Sequence, residues 1–215
     1  MKKLIVIDET FFFHPKLIDK LCQTYNGQII GVFLVTKTPK KNSLVNFLFN
    51  NVFKLKFSEI SILGSMYLIY LFKDFLFKSF SLGKPVSVNS ILTKYDIPII
   101  KVENSLNSEY LLDFIKKNKI KIVLSSNPLY FGEKYLNLKD VVFINRHSSF
   151  LPYNGGVWPL FYSVSKKMKF VGVTIHLISK KIDCGDIVQQ QKINISSNNL
   201  YDLYEECFDL SYILI

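Results

Sequence analysis

Short apolar runs alternate with stretches of helical periodicity along most of the chain, and this alternation restricts the fold more than any other feature of the sequence. Leu4–Asp8, Gln28–Val35, Ile99–Val102, Lys121–Ser125, Val141–Asn145 and Val173–Leu177 read as buried strands. Ile187–Ile195 alternates polar and apolar residues, as an edge strand would. Between them lie helical stretches at Pro15–Tyr25, Val88–Tyr95, Ser108–Asn118 and Leu200–Leu214. Asn26-Gly27 stops the first helix. Pro98 lacks the N–H that a central strand position needs, so it precedes the third strand. Apolar strands separated by helices of about 10–12 residues predict βαβ units. The expected fold is therefore α/β, a doubly wound, mostly parallel sheet, spanning residues 1–215 as one domain. Ligands of such sheets sit outside the carboxyl ends of the strands.

Residues 37–86 break the alternation and read as an insertion. Within them Ile60–Phe72 is a run of 13 residues without a charge. Spanning a bilayer takes roughly 20 such residues, so a transmembrane helix is not expected. With Lys73 and Lys78 the run continues as an apolar, lysine-studded segment to Phe80. Its expected state is a helix packed on the domain or on a second copy in a homodimer. A membrane surface is the less favoured alternative.

The formal charge of +10 suggests an anionic partner. The lysines are dispersed, however, and no dense basic block marks a nucleic-acid surface, so nucleic acid is disfavoured. Cys22, Cys184 and Cys207 form no C-x-x-C pair. They suggest neither a disulfide framework nor a metal site, and they fit a cytoplasmic protein. The apolar run after Lys2 and Lys3 ends at Asp8, too short for a signal peptide. Asp8-Glu9-Thr10 follows the first strand where a dinucleotide-binding protein would carry G-x-G-x-x-G.

Residues suited to catalysis collect in one third of the chain. The strand Val141–Asn145 runs into Arg146, His147, Ser148 and Ser149. Extended-chain alternation places Asn145 and His147 on one side and Arg146 on the other. An amide donor beside an imidazole suits carbonyl chemistry, the amide holding a developing oxyanion and the ring handling charge or protons. Taken alone, the pair reads more readily as a turn cap and a structural histidine. The loop Leu151-Pro152-Tyr153-Asn154-Gly155-Gly156 then leads to Trp158-Pro159, where a helix begins. The strand Val173–Leu177 leads to a loop with Asp183 two residues before Gly185. Asp183 there could orient an imidazole from a neighbouring strand, or be an ordinary turn residue.

Together these clusters resemble the folate-dependent formyltransferases, the family of the glycinamide ribonucleotide, methionyl-tRNA and nucleotide-sugar enzymes. The family pattern appears here as Asn145, His147, Ser149, Leu151 and Pro152, then Gly156 and Pro159, then Gly172, Val173, Thr174 and His176. Asp183 follows seven residues after His176, with Gly185 and Ile187 in place. The resemblance implies a Rossmann-like formyltransferase domain that uses 10-formyltetrahydrofolate as co-substrate. It implies that Asn145, His147 and Asp183 are catalytic. Asn145 would hold the formyl oxygen beside a charged His147, and Asp183 would sustain that charge. Ser149, Gly156 and Thr174 would support the site, with His176 behind it. Leu129, Tyr130 and Phe131 would line the folate slot with Ser179 and Asp183, although the aromatic pair could equally be core.

The sequence departs from the pattern at Ser148, where the family commonly has Pro, and at Gly155, where an Arg is frequent. Arg146 would meet a substrate phosphate or make a structural pairing. The expected acceptor is a small-molecule amine, a nucleotide-linked amino sugar of a surface-polysaccharide pathway. The divergent segment 37–86 and the Trp158-Pro159 loop suggest it. Methionyl-tRNA is disfavoured because that subfamily carries a further β domain, whereas this sequence reaches Ile215 in or just after a helix. The alternatives are a glycinamide ribonucleotide formyltransferase, a formyltetrahydrofolate hydrolase and a non-catalytic folate- or nucleotide-binding module.

Overall fold

Every residue of the strand β1 (Lys3–Asp8) is buried, and parallel partners pair with it on both sides. The computed structural model describes residues 1–9, 11–37, 56–156, 158–195 and 199–215. The start of the segment 37–86 therefore lies mostly outside the described residues. The remaining strands are β2 (Ile29–Lys37), β3 (Ile99–Glu103), β4 (Ile122–Ser126), β5 (Val142–His147), β6 (Phe170–Leu177) and β7 (Ile187–Asn194). Among the described residues the helices are α1 (His14–Thr24), α2 (Phe57–Phe80), α3 (Val88–Lys94), α4 (Glu109–Lys117), α5 (Glu133–Leu136), α6 (Pro159–Ser165) and α7 (Leu200–Leu214).

The strands form one seven-stranded sheet in the order β3-β2-β1-β4-β5-β6-β7. The first five are parallel, and β6 and β7 are antiparallel to their neighbours. The strand order reverses between β1 and β4, which makes the crevice at their carboxyl ends the place for a ligand. The doubly wound, mostly parallel α/β sheet expected from the alternation is the one observed.

Alternation along β1 and β2 feeds two cores. Ile5, Ile7, Val32 and Leu34 face α1, α3, α6 and α7, while Leu4, Val6, Phe33 and Val35 face α4 and α5. Side chains fix the entrances of the helices. Ser87 caps α3 by accepting the Ser90 N–H at 3.3 Å, Ser108 caps α4 through Leu111 at 3.2 Å, and Asn199 caps α7 through Asp202 at 3.0 Å.

Two expectations need correction. β5 runs two residues beyond Asn145, because Arg146 and His147 pair with Ile175 and Thr174 of β6. His147 is thus the last residue of a strand instead of a loop residue. The second correction concerns α2. The uncharged run stops at Lys73, but the helix continues through Lys73, Asp74 and Lys78 to 24 residues, long and apolar enough to cross a membrane. At 1.5 Å per residue it is about 36 Å long. Nor does it bury its apolar side on the domain, since none of its residues is buried. One flank alone touches the domain. Phe12 meets Tyr67 and Tyr70 at ring distances of 5.8 and 6.0 Å, and Glu59 accepts the Leu200 N–H at 2.7 Å.

His14, at the start of α1, ties the ends of β1 and β4 together. Its Nδ1–H donates to the Asp8 carbonyl at 2.8 Å, and its Nε2 accepts the Ser126 hydroxyl at 2.9 Å. Burial, reinforced by the Arg146 charge, lowers its pKa to about 3. The unfolded chain therefore takes up a proton on this histidine below about pH 6.5 that the folded chain refuses. The stability advantage of the wild type over His14→Gln should be constant above about pH 6.5. Below that it should shrink by about 1.4 kcal/mol per pH unit towards the folded value. Urea unfolding of both proteins from pH 7.5 to 4 reads this directly. A pH-independent difference would show that His14 takes up its proton equally in the folded and unfolded chains.

Candidate active site

The antiparallel register of β5 and β6 assembles one side of the site. Asn145 lies opposite His176, and His147 lies opposite Thr174. Alternation puts these four residues on the face of β5 that carries Phe143, a residue of the α4–α5 core. The site begins where that core ends.

Asn145 and His176 are joined at 3.2 Å between Nδ2 and Nε2. His176 Nδ1 lies 2.8 Å from the Leu177 carbonyl, which can only accept, so that nitrogen carries the ring proton. Nε2 is then the acceptor for one Asn145 N–H. The second N–H of the Asn145 amide stays available on a half-buried side chain. His176 is nearly fully buried and orients this amide from behind.

Asp183 closes the other side. Its Oδ2 accepts the Gly156 N–H at 2.7 Å and lies 3.8 Å from His147 Nδ1, while its Oδ1 lies 3.7 Å from His176 Nε2. The two loops that meet here hold unusual backbone. Asn154, Trp158 and Asp183 adopt left-handed conformations at φ 52°, 61° and 51°, and Gly156 sits at φ 91°. Such residues cost energy and cluster where a loop must present particular groups. Gly185 lets the Asp183 loop return across the strand end, since a Cβ there would lie 1.7 Å from the Leu177 carbonyl oxygen.

His147 is buried, with Nε2 at 3.3 Å from the Asn154 carbonyl and Nδ1 towards Asp183. Burial pushes its pKa below the ordinary value. Asp183 and the Asn154 carbonyl oppose that shift, whereas Arg146 and His176 add to it. That direction favours the neutral ring, whereas the resemblance implied a charged His147. As a neutral ring it donates from Nε2 to Asn154 and keeps a lone pair on Nδ1, beside a carboxylate.

The other expected residues divide. The Thr174 hydroxyl donates to the Ser149 carbonyl at 2.7 Å and accepts the Leu151 N–H at 3.1 Å, which fixes the start of the loop after β5. Ser149 is buried there. Arg146 faces the opposite layer. Its Nε donates to Ser211 Oγ at 2.7 Å, and its guanidinium lies 3.7 Å from the centre of the Phe208 ring. Of its two expected roles, structural pairing is the one observed. The three residues expected in the folate slot differ in their surroundings. Phe131 is core, packed on Tyr135 and Phe143, whereas Tyr130 is 71% exposed and Leu129 half-buried. Ser179 is half-buried and donates to the Lys181 carbonyl within its own loop. Sequence reasoning gave no role to Asn154 or to the Gly156 N–H. The left-handed preference of Asn and Gly in that loop was the available signal.

Residues 86–209 match the profile of the formyl transferase family. Over 116 residues the chain is 33% identical to methionyl-tRNA formyltransferase of Staphylococcus aureus (strain Newman), covering 54% of this chain and 37% of that protein. The chain thus spans little more than a third of the length of that relative. Phosphoribosylglycinamide formyltransferase from Anaplasma phagocytophilum superposes with a TM-score of 0.65 at 14% identity, covering 99% of this chain and 82% of the other. A 4-N formyltransferase from Francisella tularensis superposes with a TM-score of 0.54 at 18% identity, covering 99% and 65%. At these identities the two structures bear on the fold, and the profile match, over more than half of the sequence, decides the family. The chain belongs to the formyl transferase family.

Proposed function

We propose that residues 1–215 form a catalytic domain, with 37–86 as an insertion, that transfers a formyl group from 10-formyltetrahydrofolate to an amine. The observation that carries this reading is the convergence of Asn145, His147 and Asp183 at the strand ends. The donor set suits a formyl carbonyl: one oriented amide N–H, one neutral imidazole and one carboxylate, all in a largely buried site.

10-Formyltetrahydrofolate, the formyl donor of this family, supplies the electrophilic carbon. Asn145 donates its second N–H to the formyl oxygen as the amine bonds to carbon and the oxygen gains negative charge. His147 Nδ1 takes the proton that the attacking nitrogen must lose, and the imidazolium forms beside Asp183. Asp183 steadies that positive charge. Its hold on the Gly156 N–H keeps its carboxylate facing the ring. His147 then returns the proton to the departing nitrogen. Water in place of the amine would make the same residues a hydrolase.

For the acceptor we favour a nucleotide-linked amino sugar in the cytoplasm. The segment 37–86 and the Trp158-Pro159 loop support this choice. Incubating the protein with 10-formyltetrahydrofolate and a panel of acceptors tests it. The panel comprises nucleotide-linked amino sugars, glycinamide ribonucleotide, methionyl-tRNA and buffer alone. Tetrahydrofolate release that depends on an amino sugar supports the assignment. Release with glycinamide ribonucleotide alone, or with buffer alone, replaces it.

The roles predict distinct kinetic signatures. Asn145→Ala should lower kcat by roughly 10²–10³-fold with little change in donor binding, because its bond strengthens only as the oxygen gains charge. Single-turnover rates and donor titrations check this. Asp183→Asn removes the charge that raises the His147 pKa against burial. The acid limb of the kcat/KM profile, where His147 becomes protonated and can no longer accept a proton, should therefore move to lower pH. The plateau should fall at the same time. An unchanged profile would separate Asp183 from His147.

A further inference from the structure

We propose that α2 docks the protein onto the surface of an anionic lipid bilayer, lying in the interfacial plane. Leu68, Leu71, Phe72, Phe75, Phe80 and, just beyond the helix, Leu82 are all exposed, Leu68 at 66% and Phe72 at 61%. Soluble proteins rarely leave so long an apolar surface uncovered. Helical spacing gathers Phe57, Leu68, Leu71, Phe72 and Phe75 on the outward side, and that stripe holds no charged residue. Ser61 and Gly64 fall on the same stripe, and nothing lies within 4 Å of a Cβ built on Gly64.

Charge decides among the occupants. Residues 37–86 contain eight lysines against Glu59 and Asp74 alone, a surplus of six in a chain whose formal net charge is +10. Along the described residues 56–86, Lys56, Lys73, Lys78 and Lys84 outnumber Glu59 and Asp74. Lys56, Lys73 and Lys84 are exposed at the ends and flank of the helix, and Lys78 pairs with Asp74 at 2.6 Å. Apolar side chains bordered by lysines match an acyl boundary under anionic headgroups. A second copy of this surface is a poorer match, because symmetric pairing would bring one lysine-rich rim against another. Crossing the bilayer is also disfavoured. Glu59 holds the N-terminus of α7, and Tyr70 packs on Phe12, so the inner flank of the helix is fastened to the domain.

Co-flotation of the full chain with vesicles tests the proposal. One set is phosphatidylcholine, and the other is equal parts phosphatidylcholine and phosphatidylglycerol. Binding is expected to the mixed vesicles and not to phosphatidylcholine alone, and it should weaken as salt is raised. Each of Lys56→Gln, Lys73→Gln and Lys84→Gln should lower partitioning about fivefold. Replacing Leu68, Phe72 and Phe75 together with Ser should lower it by more than about a hundredfold, since each loses its apolar burial. Circular dichroism checks that this variant is folded, and the lysine and salt series stand without it. Failure to bind either vesicle overturns the proposal. So does binding that is indifferent to lipid charge or to the three serines. A concentration-dependent dimer that the serines abolish, with no vesicle binding, would assign the face to a second copy.

Discussion

The antiparallel pairing of β5 with β6 is the constraint on which the site depends. Its register sets Asn145 against His176 and His147 against Thr174. A slip of β6 by one residue would turn His176 and Thr174 away from Asn145 and His147, into the layer where Arg146 packs on Phe208. The core specifies the register strongly. Val173 and Ile175 of β6 are buried on that opposite face, and Gly172 lets the Gln191 carbonyl and Phe150 approach to 2.5 and 3.0 Å from where a Cβ would stand. Packing on one face of the sheet thereby fixes chemistry on the other.

Burial and charge compete at His147. Desolvation outweighs Asp183 and keeps the ring neutral, and Asp183 limits the fall. A neutral ring beside a carboxylate can receive a proton and hold it briefly, whereas a ring already charged at rest could not accept one. The Gly156 N–H on Asp183 Oδ2 and the Asn154 carbonyl on His147 Nε2 keep the pair in place. Both come from the loop after β5, whose left-handed residues give it the required turns.

The strands and helices of the sheet were legible because their apolar periodicity is local and strong. The end of β5 was not. Arg146 and His147 are polar, and they extend the strand only because β6 lies alongside to pair with them. The three catalytic candidates were legible through motif spacing, but the charge state of His147 depends on how deeply the fold buries it. The folate-slot expectation treated Tyr130 and Phe131 alike, although the chain turns one outward and the other into the core. The apolar character of α2 was plain in the sequence. Periodicity does not say what covers an apolar helix, and here the domain does not. The same lysines that ended the uncharged run at residue 73 lie inside the helix.

The mechanism requires that His147 rest neutral, with its proton on Nε2 and its Nδ1 facing Asp183. Nuclear magnetic resonance of the protein labelled with ¹⁵N-histidine measures this directly, since the chain has three histidines and the nitrogen shifts separate tautomers from imidazolium. The account predicts that His147, assigned by its absence in a His147→Gln sample, shows a protonated Nε2 and a bare Nδ1 at pH 7. It also predicts that the ring becomes imidazolium only below the ordinary histidine value of about 6.5. A His147 that is doubly protonated at pH 7, or neutral with its proton on Nδ1, would contradict the account.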